Sequence, residues 1–402
     1  GRVFRGIGGL MGPRVMGQYA TKWRRKRAGI SHAARRSPPP PDDYARAHDE
    51  PKAVALSDRG AGLPGPTAEA ISRNPAPAHR RPSDGPDHRP MADSNRIIIT
   101  GAAGLIGQNL IARMAPTGAT LIGIDKHPAN TATLARLHPG IEVIEADLAY
   151  PGPWQAAFAQ GGTLIQAHAQ IGGHDAAAFQ ANNITATQNV LAAAEHGGVD
   201  YMVHISSSVV NSAAHDFYTQ TKTAQEKLAA ASAIPHIILR PTLMFGWFDR
   251  KHLGWLARFM RKTPVFPIPG HGRYARQPLY AGDFCDIILA CASQRLVMPP
   301  QNISGRDVID YIDLIRAVRD ASGARSAIVP TPFGLFWLML KTYGLIDSNP
   351  PFTTRQLAAL AIPELFEITD WPEIFGVLAT PLAAALHETF RGKPYCSIEL
   401  EF

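Results

Sequence analysis

Short apolar runs recur through the middle of the chain: Ile97-Ile98-Ile99, Leu121-Ile122-Gly123-Ile124, Ile141-Glu142-Val143-Ile144, Thr163-Leu164-Ile165-Gln166-Ala167 and Tyr201-Met202-Val203-His204-Ile205. Runs this short and this apolar fit buried strands. Stretches of helical period lie between and after them, at 105–114, 218–231, 252–262, 283–293, 309–321 and 381–389. Strands alternating with helices predict an α/β fold with a doubly wound parallel sheet. The alternation relaxes after residue 245. Residues 91–245 are therefore read as the core, and 246–402 as mainly a small C-terminal lobe with elements returning to that core. Phe333-Gly334-Leu335-Phe336-Trp337-Leu338-Met339-Leu340 is the most apolar segment. It fits core or dimer packing better than a membrane-surface helix, and leaves a homodimer open. No apolar run is long enough to predict a transmembrane helix.

Charge changes the picture at the front end only. The chain carries 40 Lys and Arg against 33 Asp and Glu, a formal charge of +7. Residues 1–90 hold 17 of the bases and 8 of the acids, leaving 23 and 25 for residues 91–402. The near-neutral remainder gives no reason to expect a nucleic-acid partner. Residues 1–41 contain no acid and include Lys22-Trp23-Arg24-Arg25-Lys26-Arg27; Pro38-Pro39-Pro40-Pro41 and a Pro/Ala/Arg/Ser stretch follow. Such a segment buries too little apolar surface to order itself, so 1–90 is predicted to be disordered. A basic tail, a transit-peptide-like leader and a non-native extension ending before Met91 are the three readings of it. The three cysteines form no framework, which suits a reducing cytoplasm, and no Cys/His cluster has zinc spacing, so no metal is expected.

The candidate chemistry begins at Thr100-Gly101-Ala102-Ala103-Gly104-Leu105-Ile106-Gly107, where a strand passes through a glycine turn into a helix. The free N–H groups and dipole of a helix N-terminus suit a pyrophosphate. Gly101 allows the tight turn, Gly104 the approach of the cofactor, and Gly107 helix–sheet packing. Ala103, Leu105 and Ile106 line the same turn. Asp125 ends the second strand, where an acid can bond the adenosine ribose hydroxyls and repel a 2′-phosphate. NAD is thus expected, with Lys126 next door working against the preference over NADP. Tyr218 and Lys222 lie four apart on one helical face. A phenol is a poor base near neutrality until a cation favours its phenolate. It can then exchange a proton with a substrate alcohol or carbonyl.

Taken together, Thr100–Gly107, Asp125, Asp147-Leu148, Asn182–Thr187, Ser206-Ser207-Ser208, Tyr218-Thr219-Gln220-Thr221-Lys222 and Arg240-Pro241 resemble the extended short-chain dehydrogenase/reductases, in their NAD-dependent epimerase/dehydratase branch. The resemblance covers roughly residues 95–395. It implies a Rossmann core with NAD at the strand ends and a small C-terminal lobe holding substrate. It implies Asp147 on the adenine amino group with Leu148 by the ring, Asn183 near the nicotinamide ribose, and Pro241 beside the nicotinamide. Ala167, His168, Ala169 and Ser206 would belong to the cofactor shell. Ser208 would bond the reacting substrate oxygen, and Lys222 the nicotinamide ribose. Two departures stand out: Gln166-Ala167-His168-Ala169 replaces the usual His-Leu-Ala-Ala, and the span from Ser208 to Tyr218 is short. Val209-Val210 follows Ser208 where the family's dehydratases carry an Asp-Glu pair, so dehydration is not expected.

Three functions follow. The first is an NAD-dependent epimerase or dehydrogenase at a hydroxyl/ketone carbon, with a nucleotide sugar as the favoured small-molecule substrate. Arg276, seven residues before Asp283, matches an arginine that clasps the diphosphate in UDP-galactose 4-epimerase, and guanidinium forks suit phosphate oxygens. Leu243 stands where such enzymes usually place an asparagine, and speaks against it. The second is a reductase of a small or steroid-like alcohol. The third is a non-catalytic nucleotide-binding assembly subunit related to a complex I accessory protein, a group that Arg276-Gln277-Pro278-Leu279-Tyr280 also resembles. An intact Ser208/Tyr218/Lys222 set argues against this third reading.

Overall fold

A computed structural model describes residues 96–173, 175–212, 216–346, 357 and 367–401. The expectations for residues 1–90 lie outside the described residues. Six strands come first: β1 Arg96–Thr100, β2 Thr120–Asp125, β3 Glu142–Glu145, β4 Gly162–Gln166, β5 Val199–Ile205 and β6 His236–Pro241. Shorter strands follow: β7 Met244–Phe245, β8 Val265–Pro269, β9 Ala275–Arg276, β10 Leu279–Tyr280, β11 Gln301–Ile303, β12 Ile309–Asp310 and β13 Ala327–Thr331. The main sheet has seven strands in the order β11-β6-β5-β4-β1-β2-β3, all parallel. The strand order reverses between β1 and β4, which opens a crevice at their carboxyl ends. The doubly wound α/β expectation is met.

The period-2 geometry of strands explains why apolar residues fall on both faces of the runs. Ile97 and Ile99 of β1 pack on one face with Leu110, Tyr201, Val203 and Phe284. Ile98 packs on the other with Ile122, Trp154, Phe158 and Met202. Both faces are covered, so both sets of positions are mainly apolar, and the buried exceptions Gln166 and His204 bond each other at 2.8 Å. A third cluster belongs to the segments after β6, joining Phe245, Met260, Ile268, Ile315 and Leu386.

One local expectation changes. The helical stretch expected to open at Asp283 runs Ala281–Gln294, and Asp283 sits inside its first turn. Its carboxylate instead accepts from the backbone N–H (3.0 Å) and hydroxyl of Thr380. A residue nearly a hundred positions away claimed it, which no local pattern could show.

Candidate active site

The glycine turn is built by contact as well as by φ. Gly101 has φ +72°, and a Cβ there would lie 2.7 Å from the His168 backbone. The chain can therefore pass this close to the end of β4 only as glycine. A Cβ on Gly107 would lie 2.4 Å from Ala102 Cα, so the helix Leu105–Met114 sits hard against the turn. Gly104 is the N-cap of that helix and supplies no side-chain cap. The first-turn N–H groups are thus left to a ligand or water, the state an anion site requires. A Cβ on Gly104 would meet the Gly101 carbonyl at 3.3 Å, with no other close atom. Asp125 closes the turn: its carboxylate accepts from Ala103 N (3.0 Å) and His127 N (3.1 Å). Lys126 reaches away from it, to Asn182 Oδ1 at 2.6 Å and Asp147 Oδ2 at 3.5 Å. Leu148 is buried behind Asp147. These residues fit the adenosine and pyrophosphate of NAD.

Arg250 was not anticipated. It arrives from the loop before the helix Leu253–Lys262, and the Asp125 carboxylate opposes the burial that lowers its pKa. Nothing in the local sequence could have signalled it, because 125 residues separate the two charges.

The second half of the site stands at the ends of β4 and β5. Asn183 is fully buried in a π-helical turn, Gln180–Thr185, a device common at functional sites. It accepts from Gln170 N at 2.6 Å and donates to Thr221 Oγ1 at 2.9 Å. The His168 ring turns inward, between the Thr100 (2.8 Å) and Thr187 (3.2 Å) hydroxyls. Burial, reinforced by Lys222, pushes its pKa down to about 3. It is a neutral strut, with its backbone and that of Ala167 against Gly101. Ala169 follows in the same loop and Pro241 ends β6. The Ser206 hydroxyl bonds Glu226. Burial pushes that carboxyl's pKa up, but bonds from Arg240 and Ser206 outweigh it and hold the group below the ordinary range.

Tyr218 and Lys222 lie in the helix Phe217–Ala230, capped by Asp216, which accepts from Thr219 N at 2.8 Å. The Ser207 side chain lies close enough to act on the phenol. Ser208, one residue on, is buried at the start of a 3₁₀ turn. Burial pushes the Tyr218 pKa up, the Ser207 side chain opposes, and Asp216 adds to the rise. The Lys222 Nζ donates to Ile205 O at 2.9 Å and to Gln225 Oε1. Its pKa falls to about 7 through burial, partly offset by Glu226. Gln225 passes the network on to Thr187 Oγ1 (2.9 Å) and His168 O (3.2 Å). Gln225 is thus a site neighbour beyond the motif. The one sequence signal for Gln225 is a polar residue a turn past Lys222 on the same face.

Arg276 stands apart from this cluster. It is 9% exposed, donates to Ala275 O at 2.8 Å, and lies 5.3 Å over the Tyr274 ring.

Comparisons with known proteins bear on the family and the fold. The family profile described as NAD dependent epimerase/dehydratase family matches residues 97–303, more than half of the chain. A mitochondrial NADH dehydrogenase [ubiquinone] 1 alpha subcomplex subunit 9 from Arabidopsis thaliana is 23% identical over 278 residues, covering 67% of each chain. A 3 beta-hydroxysteroid dehydrogenase/Delta 5-->4-isomerase from Mycobacterium tuberculosis is 28% identical over 263 residues, covering 57% of this chain and 70% of that one. The enzyme WbmG of Bordetella bronchiseptica, solved with NAD and UDP, superposes with a TM-score of 0.59 at 18% identity. That match covers 77% of this chain and 99% of the other, and shows the shared fold.

Proposed function

The chain belongs to the NAD-dependent epimerase/dehydratase family, with NAD as its cofactor, and from that footing we propose that it interconverts the hydroxyl and ketone of an apolar alcohol, with Tyr218 carrying the proton. The observation that carries the reading is the helix Phe217–Ala230, which sets Tyr218 one turn from the buried Lys222 and within reach of the Ser207 side chain past the end of β5. Apolar side chains stand exposed at the same edge: Phe217 beside Tyr218, and Leu243 just after β6. When bound, NAD supplies the hydride acceptor or donor. The residues 101–107 turn binds its pyrophosphate, Asp125 its ribose and Asp147 its adenine. Tyr218 Oη takes a proton from the substrate hydroxyl or returns it to the carbonyl. Ser207 and Ser208 hold the substrate oxygen. The Lys222 ammonium has three donors, and with Ile205 O and Gln225 engaged a third serves a ribose hydroxyl.

The nucleotide-sugar reading is weaker on two counts. Arg276 is occupied by Ala275 O and Tyr274, and Leu243 offers no amide to a diphosphate. The 28% identical hydroxysteroid dehydrogenase fits an apolar substrate. The test is a panel of 3β-hydroxysteroids and UDP-, dTDP- and GDP-sugars with NAD⁺, read as NADH formation for net oxidation and as epimer formation by chromatography for the sugars, since an epimerase returns its hydride. Steroid-like alcohols are expected to react, with Tyr218→Phe lowering kcat about 10²-fold, the range of a lost general acid/base, at unchanged NAD affinity. Reaction of nucleotide sugars alone would overturn the substrate class, and full activity of Tyr218→Phe the proton role.

A second reading is favoured by the bonding of Lys222 to Ile205 O and Gln225. That arrangement suits a retained nucleotide in a non-catalytic subunit, and the Arabidopsis relative is named as a subunit of NADH dehydrogenase. Copurified nucleotide with no turnover of any panel member would support it.

A further inference from the structure

The helix Phe333–Ile346 carries apolar side chains on the side that nothing described covers. Phe333, Phe336 and Leu340 form its half-buried inner side, and Phe333 packs against Gly270. Leu335, Trp337, Leu338 and Met339 face outward, each about two-fifths to one-half exposed. Lys341, a turn later, holds its Nζ 4.9 Å from the Trp337 ring centre. At 14 residues the helix is roughly 21 Å long, short of the ~30 Å hydrocarbon core. Among the described residues no helix is long and apolar enough to cross a membrane.

Charge says what such a face suits. Residues 321–346 contain Arg325 and Lys341 and no Asp or Glu. Residues 250–282 contain seven Lys and Arg and no Asp or Glu. The fold joins these stretches, because β13 pairs in parallel with β8. Exposed Arg325 stands just ahead of one strand, and exposed Arg261 and Lys262 just ahead of the other. Val265 and Val329 are exposed on the same two strands. A tryptophan-bearing apolar helix face, set among cations in acid-free stretches of chain, is complementary to an anionic bilayer surface. A second copy would bring like charges together and is disfavoured for that reason.

We propose that this lobe docks on anionic lipid bilayers through Leu335, Trp337, Leu338 and Met339. Lys341 and the cations ahead of β8 and β13 meet the headgroups. The inference does not rest on the reaction proposed above.

The experiment is flotation of the full chain with vesicles of phosphatidylcholine, with and without phosphatidylglycerol. Binding is expected only with phosphatidylglycerol. Leu335→Glu with Leu338→Glu should lower it at least about tenfold, since the apolar contact and the anionic attraction act together. Both sites are exposed, so the Tm should not move. Brominated lipid should quench tryptophan emission in the parent chain, and Trp337→Phe should abolish most of that quenching. Undiminished binding by the double variant would overturn the proposal and place the attraction elsewhere, as in Lys22–Arg27. Absence of vesicle binding would also overturn it. So would a lipid-free dimer that the double variant splits.

Discussion

The Lys222 ammonium is held to a pKa of about 7, against an ordinary 10.5, because it is buried beneath β5. The sign of its effect on stability follows from proton counting. Between about pH 7 and 10.5 the unfolded chain carries the proton and the folded chain does not, so stability rises with pH across that window. Below pH 7 both states are charged and the burial penalty is present in full. Lys222→Met should therefore flatten the rise in unfolding free energy between pH 7 and 9, measured by urea denaturation. That range stops short of the buried tyrosines. A second expectation concerns the cofactor. The Asp125 carboxylate repels a 2′-phosphate, while the nearby Arg250 opposes that effect. NAD(H) should bind more tightly than NADP(H), and Arg250→Ala should widen the gap about tenfold, the scale of one charge-assisted bond. Fluorescence titration of both dinucleotides checks it. Asp125 was legible from its place after β2; Arg250 was not, because only packing sets it there.

At the scale of elements, one substitution should have opposite signs in two helices. A Cβ on Gly107 would lie 2.4 Å from Ala102 Cα, a backbone atom that cannot move aside. Gly107→Ala should lower stability by about 1–3 kcal/mol, the cost of overpacking. Gly334, in the exposed helix, has no atom within 4 Å of a Cβ. Gly334→Ala should raise stability by about 0.5–1 kcal/mol, the ordinary helix gain over glycine. Thermal melts of the two variants compare them directly. The strand–turn–helix unit itself was readable from three isoleucines and three glycines. The π-helical turn at Gln180–Thr185 was not, since its Asn183 bonds run to Gln170 and Thr221 on other elements.

Between residue 96 and the C-terminus, one arginine ties the first helix to the segments that follow β6. Arg113 donates to Tyr280 Oη (2.9 Å) and Glu388 Oε1 (3.1 Å) and lies 4.8 Å over the Trp247 ring. Trp247 Nε1 in turn donates to Glu388 O, and Asn109 Nδ2 to Trp247 O. Glu388 is partly exposed, so its ion pair is screened and only a modest share of the Coulomb attraction survives. Arg113→Met should lower stability by about 1–2 kcal/mol, mainly from the lost hydrogen bonds and ring contact. Glu388→Gln, which keeps an acceptor, should cost less. Urea midpoints of the two variants test the order.

The sequence alone determined what short-range physics can write. Apolar runs of strand length, a glycine turn opening a helix, an acid after β2 and a Tyr/Lys pair at helical spacing specified the parallel α/β core and the candidate site proposed on it. Tertiary structure decided what those residues meet. It set the Ser207 side chain near the Tyr218 phenol, sent Lys222 to a strand-end carbonyl and Gln225, turned His168 inward, and occupied Arg276 with Tyr274 and Ala275. The physical reason is one of range. Backbone propensity and periodicity act over a few residues, whereas hydrogen-bond partners, burial and the pKa shifts they cause depend on groups brought together from across the chain.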